Sequence, residues 1–240
     1  MTLSREATAQ LIDSSSSRPA SPVRAQLLAT EHWSLLAARG MTWSEVMSRI
    51  AVHLTVSSAA LVVLALVTQA TGFGSAFQVL SIGLTSAILV LGTLTAVRVH
   101  NASREDAAII VGMNRLRAAY VMLDPGIAEY LVTSQYDDQA GLMKTYTMGM
   151  RRSTASHILG STSMFINIVN AMVAGTLGAL IADAAAGAPV TTTLAGLVAG
   201  VGYLALIFEV ARRSFAVMPL EPRFRTPGVE GSARDEPGGR

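Results

Sequence analysis

Residues Ile50–Val97 read IAVHLTVSSAALVVLALVTQATGFGSAFQVLSIGLTSAILVLGTLTAV, without one Asp, Glu, Lys or Arg. The stretch contains two apolar runs, Ile50–Ala70 and Phe77–Val97, joined by the uncharged connector Thr71–Ala76. Each run is close to the ~20 residues that an α-helix needs to cross ~30 Å of hydrocarbon. The pattern therefore predicts two membrane-spanning helices that form a hairpin.

A second pair of apolar runs follows at Ser161–Ala182 and Thr191–Phe208, and its connector carries the single charged residue Asp183. All 18 Lys and Arg residues lie outside the two pairs of runs. The positive-inside rule then places both termini and the middle segment in the cytoplasm. The predicted fold class is all-α: a polytopic membrane protein with four transmembrane helices as two hairpins and a cytoplasmic helical hairpin between spans 2 and 3.

The composition agrees with a membrane protein. The 240 residues are 51% hydrophobic and 14% charged, which is more apolar than a typical soluble domain. The absence of Cys excludes disulfides, thiolate metal sites and a Cys nucleophile. The arginines flank the spans instead of forming a stripe with stacking aromatics, so no nucleic-acid partner is expected. The strong bias to Arg, Ala and Gly indicates a bacterial protein, and we expect the plasma (inner) membrane.

The regions outside the spans differ in periodicity. Residues 1–21 are rich in Ser, lack apolar periodicity and are predicted to be a disordered cytoplasmic tail. Residues 22–49 predict an amphipathic helix that ends at Gly40. A new helix should follow, with Thr42 and Glu45 as its capping box. The remaining expected segments are a transmembrane hairpin at 50–98, a cytoplasmic helical hairpin at 99–160, a second transmembrane hairpin at 161–210 and a disordered tail at 216–240.

The middle segment leaves one alternative open at its start. Ser103 and Asp106 have the spacing of a helix cap, which favours a break after the second span. The absence of Gly and Pro in the same region favours one continuous helix. Further on, Asp124-Pro125-Gly126 predicts a turn that ends the helix near Leu123.

Asp137 and Asp138 precede the next predicted helix, where adjacent carboxylates usually cap the helix and favour its dipole. This helix could run into the third span, with Gly149 or Gly160 as the places for a break. The sequence does not choose between a continuous and a broken helix.

Several motifs in the middle third of the chain are similar to a segment found in other proteins. They are Met113-Asn114-Arg115-Leu116-Arg117, Ala119-Tyr120, Asp124-Pro125, Glu129-Tyr130, Thr133-Ser134 and Asp137-Asp138. The segment resembles one in a family of uncharacterised bacterial four-span integral membrane proteins, to which no activity is attached. The resemblance implies the number of spans and no residue role.

Small residues recur at four-residue steps in the last two predicted spans. Ala171, Gly175 and Ala179 form one such row, and Gly196 with Gly200 forms a GxxxG motif. Small residues let helix backbones approach closely in a bilayer. Two interpretations stay open, namely packing within one four-helix bundle and packing between the subunits of a homo-oligomer.

Asn167 and Asn170 lie three residues apart in the middle of the third span, and so on one helix face. An amide that faced lipid would be costly, so both side chains should point inward. One interpretation is interhelical hydrogen bonding, and the other is the polar lining of a pore or ligand pocket.

Charged residues are predicted to cluster at the cytoplasmic ends of the spans, as an interface cluster of Arg98, Glu209, Arg212 and Arg213. Arginines near the bilayer surface could also bind anionic lipid headgroups. His53 lacks the second His or carboxylate that a metal site needs. No catalytic, cofactor or metal motif is found, so we expect neither an enzyme nor a cofactor.

These observations favour a non-enzymatic interaction, signalling or scaffold module that can self-associate. Its cytoplasmic hairpin would meet an unknown cytoplasmic protein or another subunit. The principal alternative is an oligomeric ion channel or pore lined by Asn167 and Asn170. A transporter is less expected, because coupled transport generally uses ionisable residues within the membrane.

Overall fold

The computed structural model describes residues 22–150, 160–215 and 221–227. These residues are all helical or irregular, and no strand occurs among them. The predicted all-helical class is confirmed for this part of the chain. The predicted disordered tail at 1–21 lies outside the described residues. The helices are α1 (Pro22–Thr71), α2 (Ser75–Leu123), a 3₁₀ helix (Pro125–Tyr130), α3 (Gln139–Thr147), α4 (Thr162–Ala184) and α5 (Pro189–Phe215).

Four helices, α1, α2, α4 and α5, are long and apolar enough to cross a membrane. Their most apolar windows of 18 residues have mean hydropathies of 2.4, 2.0, 1.8 and 2.0. At most a third of any of these windows is buried within the chain, so most of the apolar side chains face outward. Outward-facing apolar surface of this extent suits a hydrocarbon environment. The chain is therefore a multi-pass membrane protein.

Helix α1 continues through the boundary that the sequence predicted between Gly40 and Thr42. A Gly inside a helix costs about 1 kcal/mol relative to Ala, and the burial of residues such as Val46 on the same helix outweighs that cost. The carboxylate of Glu45 does not cap a new helix. It pairs with Arg98 instead. The predicted helix end at Gly40 and the capping box are therefore wrong.

Helix α2 is also continuous, and it passes through Asn101–Ser103 without a break. The hydroxyl of Ser103 donates to the carbonyl oxygen of Val99 at 2.9 Å, a bond within the helix that leaves the ladder intact. Asp106 accepts hydrogen bonds from α1, so it does not serve as a cap partner. Of the two alternatives that the sequence left open, continuity is confirmed.

Helix α3 ends at Thr147, before one of the two predicted break points. Met148 has φ 50° and Gly149 has φ 75°, and two left-handed residues in succession end the helix. Helix α4 begins separately after Ser161, whose side chain accepts from the backbone N–H of Met164 at 3.1 Å. The helix that begins after Asp138 is thus broken at Gly149.

The chain divides into two compact units. The described part of the first unit comprises 22–38, 109–149 and 221–227, and that of the second comprises 39–108, 150 and 160–215. In the first unit, the rings of His32 and Tyr120 stack with their centroids 6.0 Å apart. The second unit has a buried apolar core that joins α1, α2 and α4. It consists of Val46, Ile50, Ala96, Val99, Ala102 and Ile166, with Trp43 packed against it.

Candidate functional site

The second unit contains a group of polar side chains packed around a glycine, which we name the polar centre: His53, Gly92, Thr93, Asn170 and Tyr203. His53 and Asn170 have no exposed surface. The amide nitrogen of Asn170 donates to the hydroxyl of Tyr203 at 3.1 Å, and this hydroxyl lies 3.3 Å from that of Thr93. Because these residues belong to α1, α2, α4 and α5, the polar centre draws on all four long helices.

Gly92 occupies the point where His53 and Asn170 meet. A Cβ atom added at Gly92 would overlap Oδ1 of Asn170 and would lie 2.7 Å from Cε1 of His53. The short Asn side chain cannot retreat far, since its other end is bonded to Tyr203. Only a residue without Cβ therefore lets α2 approach these two side chains.

Three buried atoms of the polar centre lack a hydrogen-bond partner within the described residues. They are both ring nitrogens of His53 and Oδ1 of Asn170. A buried polar atom left unpaired costs about 1–3 kcal/mol. The polar centre thus has two hydrogen bonds between helices and three buried polar atoms without a partner in the described part of the chain.

Asn167 and Asn170, which the sequence grouped together, have different surroundings. Asn170 is fully buried and bonded to Tyr203 of the same chain. Asn167 is half-buried, and its Oδ1 has no partner in the part of the chain that the structure describes. Only Asn170 belongs to the polar centre.

The small residues predicted to pack helices lie between α4 and α5 of one chain. A Cβ added at Gly175 would lie 3.0 Å from the carbonyl oxygen of Gly196. One added at Gly196 would lie 3.3 Å from Cβ of Ala179, and one at Gly200 would lie 2.9 Å from the carbonyl oxygen of Ala171. The rows of small residues therefore meet each other within the chain.

The predicted charge cluster separates into two groups. Glu209 pairs with Arg212 at 2.9 Å and with Arg213 at 2.7 Å, all on α5. Arg98 pairs instead with Glu45 of α1 at 2.7 Å. The grouping of Arg98 with Glu209 was wrong, because similar depth in the membrane does not reveal which helices are neighbours.

Glu45 lies between two arginines. Hydrogen bonds from Arg98 and then from Arg49 lower the pKa of Glu45 to about 2. Arg98 also contacts Glu105, two turns further along the same face of α2, at 3.0 Å. Glu45 therefore remains ionised at neutral pH.

The same end of the second unit holds a buried carboxylate, Asp106. It accepts from Nε of Arg39 at 2.6 Å and from the indole N–H of Trp43 at 2.9 Å. The side chain of Asp106 is only 3% exposed, so both donors offset the cost of removing its charge from water. These contacts fix α1 against α2.

In the first unit, Asp137 and Asp138 form what we name the acidic pair, and they bind residues 221–227, the C-terminal segment. Asp138 caps α3, as predicted, by accepting from the N–H of Gly141 at 2.7 Å. Its other oxygen, Oδ2, accepts from the N–H of Thr226 at 2.6 Å. The Thr226 hydroxyl donates to Oδ1, the oxygen that also accepts from Gly141, at 2.9 Å. One carboxylate thus joins a helix cap to a segment 88 positions away in sequence.

Asp137 is fully buried, and it binds the C-terminal segment mainly through the backbone of that segment. Its carboxylate accepts from the N–H of Arg223 at 3.0 Å and from that of Phe224 at 2.7 Å. Its own N–H donates to the carbonyl oxygen of Phe224 at 3.0 Å. Arg115 completes the site by donating to Asp137 at 2.6 Å and to the carbonyl oxygen of Glu221.

The C-terminal segment binds in an extended, alternating manner. Pro222, Phe224 and Thr226 are half-buried, whereas the residues between them are exposed. An alternation of period two is the pattern of an extended chain with one face on a surface. The prediction of disorder for 216–240 therefore does not hold for these seven residues, while 216–220 and 228–240 lie outside the described residues.

Hydrogen bonds oppose burial in setting the ionisation of the acidic pair. Burial raises the pKa of Asp137, but the N–H groups of Arg223 and Phe224 and the guanidinium of Arg115 outweigh it, so that the pKa lies below its ordinary value. Burial also raises the pKa of Asp138, and the bonds from Thr226 and Gly141 again reverse the direction. Both side chains are therefore carboxylates at neutral pH.

A buried network holds the acidic pair in place. Asn114 has no exposed surface, and its amide nitrogen donates to the carbonyl oxygen of Tyr136 at 2.7 Å. Its Oδ1 accepts from Arg117 at 2.7 Å and from the hydroxyl of Thr145 at 3.0 Å. A Cβ at Gly141 would overlap the carbonyl oxygen of Tyr136, so the loop before α3 requires this Gly.

Comparisons with protein-family models, curated proteins and solved structures return no match. The resemblance of the middle third to bacterial four-span proteins stays a prediction. Function must be inferred from the contacts of this chain, and the contacts that form a binding site are those of Arg115 and the acidic pair.

The sequence did not reveal this binding site. The pattern predicted that Asp137 and Asp138 are helix caps. Their partners lie in a segment that was predicted to be disordered because it is rich in Pro and Gly. One signal was present: Pro222, Phe224 and Thr226, which face the binding site, alternate with Arg223 and Arg225. The bonds themselves use backbone N–H groups, which carry no sequence signature.

Proposed function

We propose that the protein is a membrane-anchored, non-enzymatic interaction module of a bacterial plasma membrane, and that its first unit binds extended peptide segments. The observation that carries this proposal is the hydrogen bonding of residues 221–227 by Arg115, Asp137 and Asp138. Such a site holds a chain segment by its backbone, which is how many peptide-recognition surfaces gain affinity. No bond is broken or formed in this function.

The distribution of basic residues supports a cytoplasmic position for both termini and for the first unit. Every Lys and Arg lies outside the apolar runs of the four spans. With both termini on that side, the spans form two hairpins, and the peptide site faces the cytoplasm, where soluble partners are available.

Anionic lipid headgroups are a second proposed partner. Arg212 and Arg213 share one carboxylate, Glu209, and their side chains remain 67% and 78% exposed. Two guanidinium groups on one carboxylate leave net positive charge at the end of α5, which attracts anionic lipid by about 1 kcal/mol per charge.

The channel alternative draws less support. Asn170 is fully buried within the single chain and bonded to Tyr203, an arrangement that keeps its side chain away from a pore between subunits. The small residues of α4 and α5 also pack against each other within the chain. Self-association would therefore use another surface.

The test is peptide binding to protein that ends at Leu220, reconstituted in nanodiscs. A fluorescent peptide of residues 219–229 should bind with a Kd in the micromolar range, as measured by fluorescence anisotropy. N-methylation of the Phe224 amide removes a bond to Asp137 and should weaken binding at least tenfold, since a bond to a charged group contributes about 1.5–3 kcal/mol.

The matched control is N-methylation of the Arg225 amide, which leaves the bonds of Arg223, Phe224 and Thr226 in place. This peptide should bind like the unmodified one. Absence of binding by the unmodified peptide, with a truncated protein that still unfolds cooperatively on heating, would refute the peptide-binding function.

A further inference from the structure

Thr226 is the one residue of the C-terminal segment whose side chain and backbone N–H both bond to the first unit in the described contacts. Its N–H donates to Oδ2 of Asp138 at 2.6 Å, and its hydroxyl donates to Oδ1 at 2.9 Å. The hydroxyl hydrogen is essential to the second bond, because a carboxylate only accepts. A change that removed this hydrogen would leave two acceptors facing each other.

From this geometry we propose that Thr226 is a phosphorylation site, and that its phosphorylation releases the C-terminal segment from the acidic pair. The proposal rests on the peptide-binding function. In the reaction, the Thr226 hydroxyl oxygen attacks the terminal phosphorus of a nucleoside triphosphate. The bond from that phosphorus to the bridging oxygen breaks, and a nucleoside diphosphate and one proton leave.

The phosphate is incompatible with the bound state for two reasons. It replaces the donating hydrogen with a phosphoryl group, so that the hydroxyl oxygen becomes an ester oxygen, and it adds a charge of about −1.5 to −2 at neutral pH. That charge would sit against Asp138, which is 9% exposed, and next to the fully buried Asp137. Like charges held this close cost several kcal/mol, which corresponds to a loss of docking of about 100-fold or more.

Arg115 does not offset this repulsion. Its guanidinium already donates to Asp137 and to the carbonyl oxygen of Glu221, at the other end of the bound segment. A phosphate on Thr226 would have to displace the Asp137 carboxylate to reach it. The acidic pair would then lose the bond from Arg115, which offsets the charge of the fully buried Asp137.

The residues around Thr226 present recognition features to solvent. Arg223 and Arg225, three positions and one position before Thr226, are exposed, and so is Pro227 directly after it. Exposed arginines at these positions complement an acidic substrate groove, the type of charge pattern by which protein kinases select substrates. The enzyme that this site fits is therefore a Ser/Thr protein kinase that prefers basic residues before the acceptor.

The release is tested in the full-length chain, which has no Cys of its own. Gln139→Cys and Arg225→Cys, both at exposed positions, carry spin labels that report the distance between α3 and the segment. Semi-synthesis provides three forms of the protein in nanodiscs: unmodified, phosphorylated at Thr226, and phosphorylated at Ser232. The last form is the control for the added charge, placed six positions further along the chain.

Pulsed electron paramagnetic resonance should show one short distance for the unmodified and Ser232-phosphorylated forms. The Thr226-phosphorylated form should show a long, broad distribution, with the docked fraction reduced about 100-fold. A short distance that persists in this form overturns the proposal and leaves the peptide-binding function standing. Absence of the short distance in the unmodified form contradicts the peptide-binding function itself.

Modification is tested separately on protein without labels. A basophilic Ser/Thr kinase with magnesium ATP should phosphorylate Thr226, as read by mass spectrometry of the C-terminal peptide. Arg223→Ala combined with Arg225→Ala should reduce the rate at least tenfold, whereas Glu221→Ala should not. A Thr226 that stays unmodified while other Ser or Thr residues react also overturns the proposal.

Discussion

The acidic pair of the first unit and the polar centre of the second unit are both buried and polar, yet they differ in how their atoms are paired. Asp137 and Asp138 accept from backbone N–H groups of the C-terminal segment, and from Arg115 or Gly141 in addition. In the polar centre, Oδ1 of Asn170 and both ring nitrogens of His53 have no described partner.

The source of donors explains the difference. An extended segment such as 221–227 carries free backbone N–H groups that a carboxylate can use. Within a span, the helix consumes these groups, so polar side chains depend on one another. A docked irregular segment can therefore stabilise a buried carboxylate through its N–H groups, as the side chains of Arg39 and Trp43 do for Asp106. The apolar runs of the four spans contain no Asp, Glu, Lys or Arg.

Acid provides the largest expected change to this comparison, because protonation of the acidic pair removes the charge that holds the C-terminal segment. The pKa values of Asp137 and Asp138 are lowered by the bound segment. Their contribution to docking is thus complete above the ordinary carboxyl pKa of about 4 and is lost as the pH falls through the lowered values.

In the protein labelled at positions 139 and 225, the short distance should dominate at pH 6, and its fraction should fall as acid protonates the two carboxylates, below the ordinary carboxyl pKa of about 4. A control label pair on α4 and α5, at Met172 and Val201, should keep its distance over the same range. A fraction that stays constant down to the lowest pH at which the control pair keeps its distance would mean that the carboxylates do not hold the segment.

Gly92→Ala should give the next largest effect, and it affects only the polar centre. The added Cβ overlaps Oδ1 of Asn170 and approaches His53, so the helices must separate or the bond from Asn170 to Tyr203 must break. Overpacking of this kind costs about 1–3 kcal/mol. The measurement is thermal unfolding in a fixed detergent.

Gly83→Ala on the same helix is the matched control, since a Cβ there meets nothing within 4 Å. It should be neutral or stabilising by up to about 1 kcal/mol through helix propensity. Equal midpoints for the two variants would show that the close approach at Gly92 does not exist.

Tyr203→Phe should give the smallest effect. It removes the hydroxyl that accepts from Asn170 and contacts Thr93. Hydrogen bonds between membrane helices contribute about 0.6 kcal/mol on average. Tyr130→Phe, at a side chain that is 78% exposed, is the control and should not change unfolding. A loss above 2 kcal/mol would mean that the polar centre is more tightly coupled than its two bonds indicate.

The fold was predictable where it depends on composition. Apolar length identified four spans, because hydrocarbon thickness fixes the number of residues that a helix needs. The helix end at Asp124-Pro125-Gly126 was predicted correctly, and Gly149, where a break occurs, was one of two candidate positions that the sequence left open. Helix boundaries were predicted wrongly at Gly40 and Thr42, where packing of α1 overrides a weak local preference.

The binding site was less predictable, since its partners are 86 or more positions apart and bond through the backbone. Periodicity cannot locate such a contact. Similarly, the sequence placed Asn170 in an inward-facing row but could not name Tyr203 as its partner, because nothing in either span encodes which faces meet.

The separation between Asp137 and Arg223 also has a consequence for the order of synthesis. The acidic pair leaves the ribosome 86 residues before the N–H groups that it binds, and the last two spans lie between them. At a usual translation rate this delay is about 4 to 17 seconds. During that time the acidic pair lacks the N–H groups of the C-terminal segment, while Arg115 and Gly141 are already present. The first unit is thus completed only after both of the last two spans have been translated.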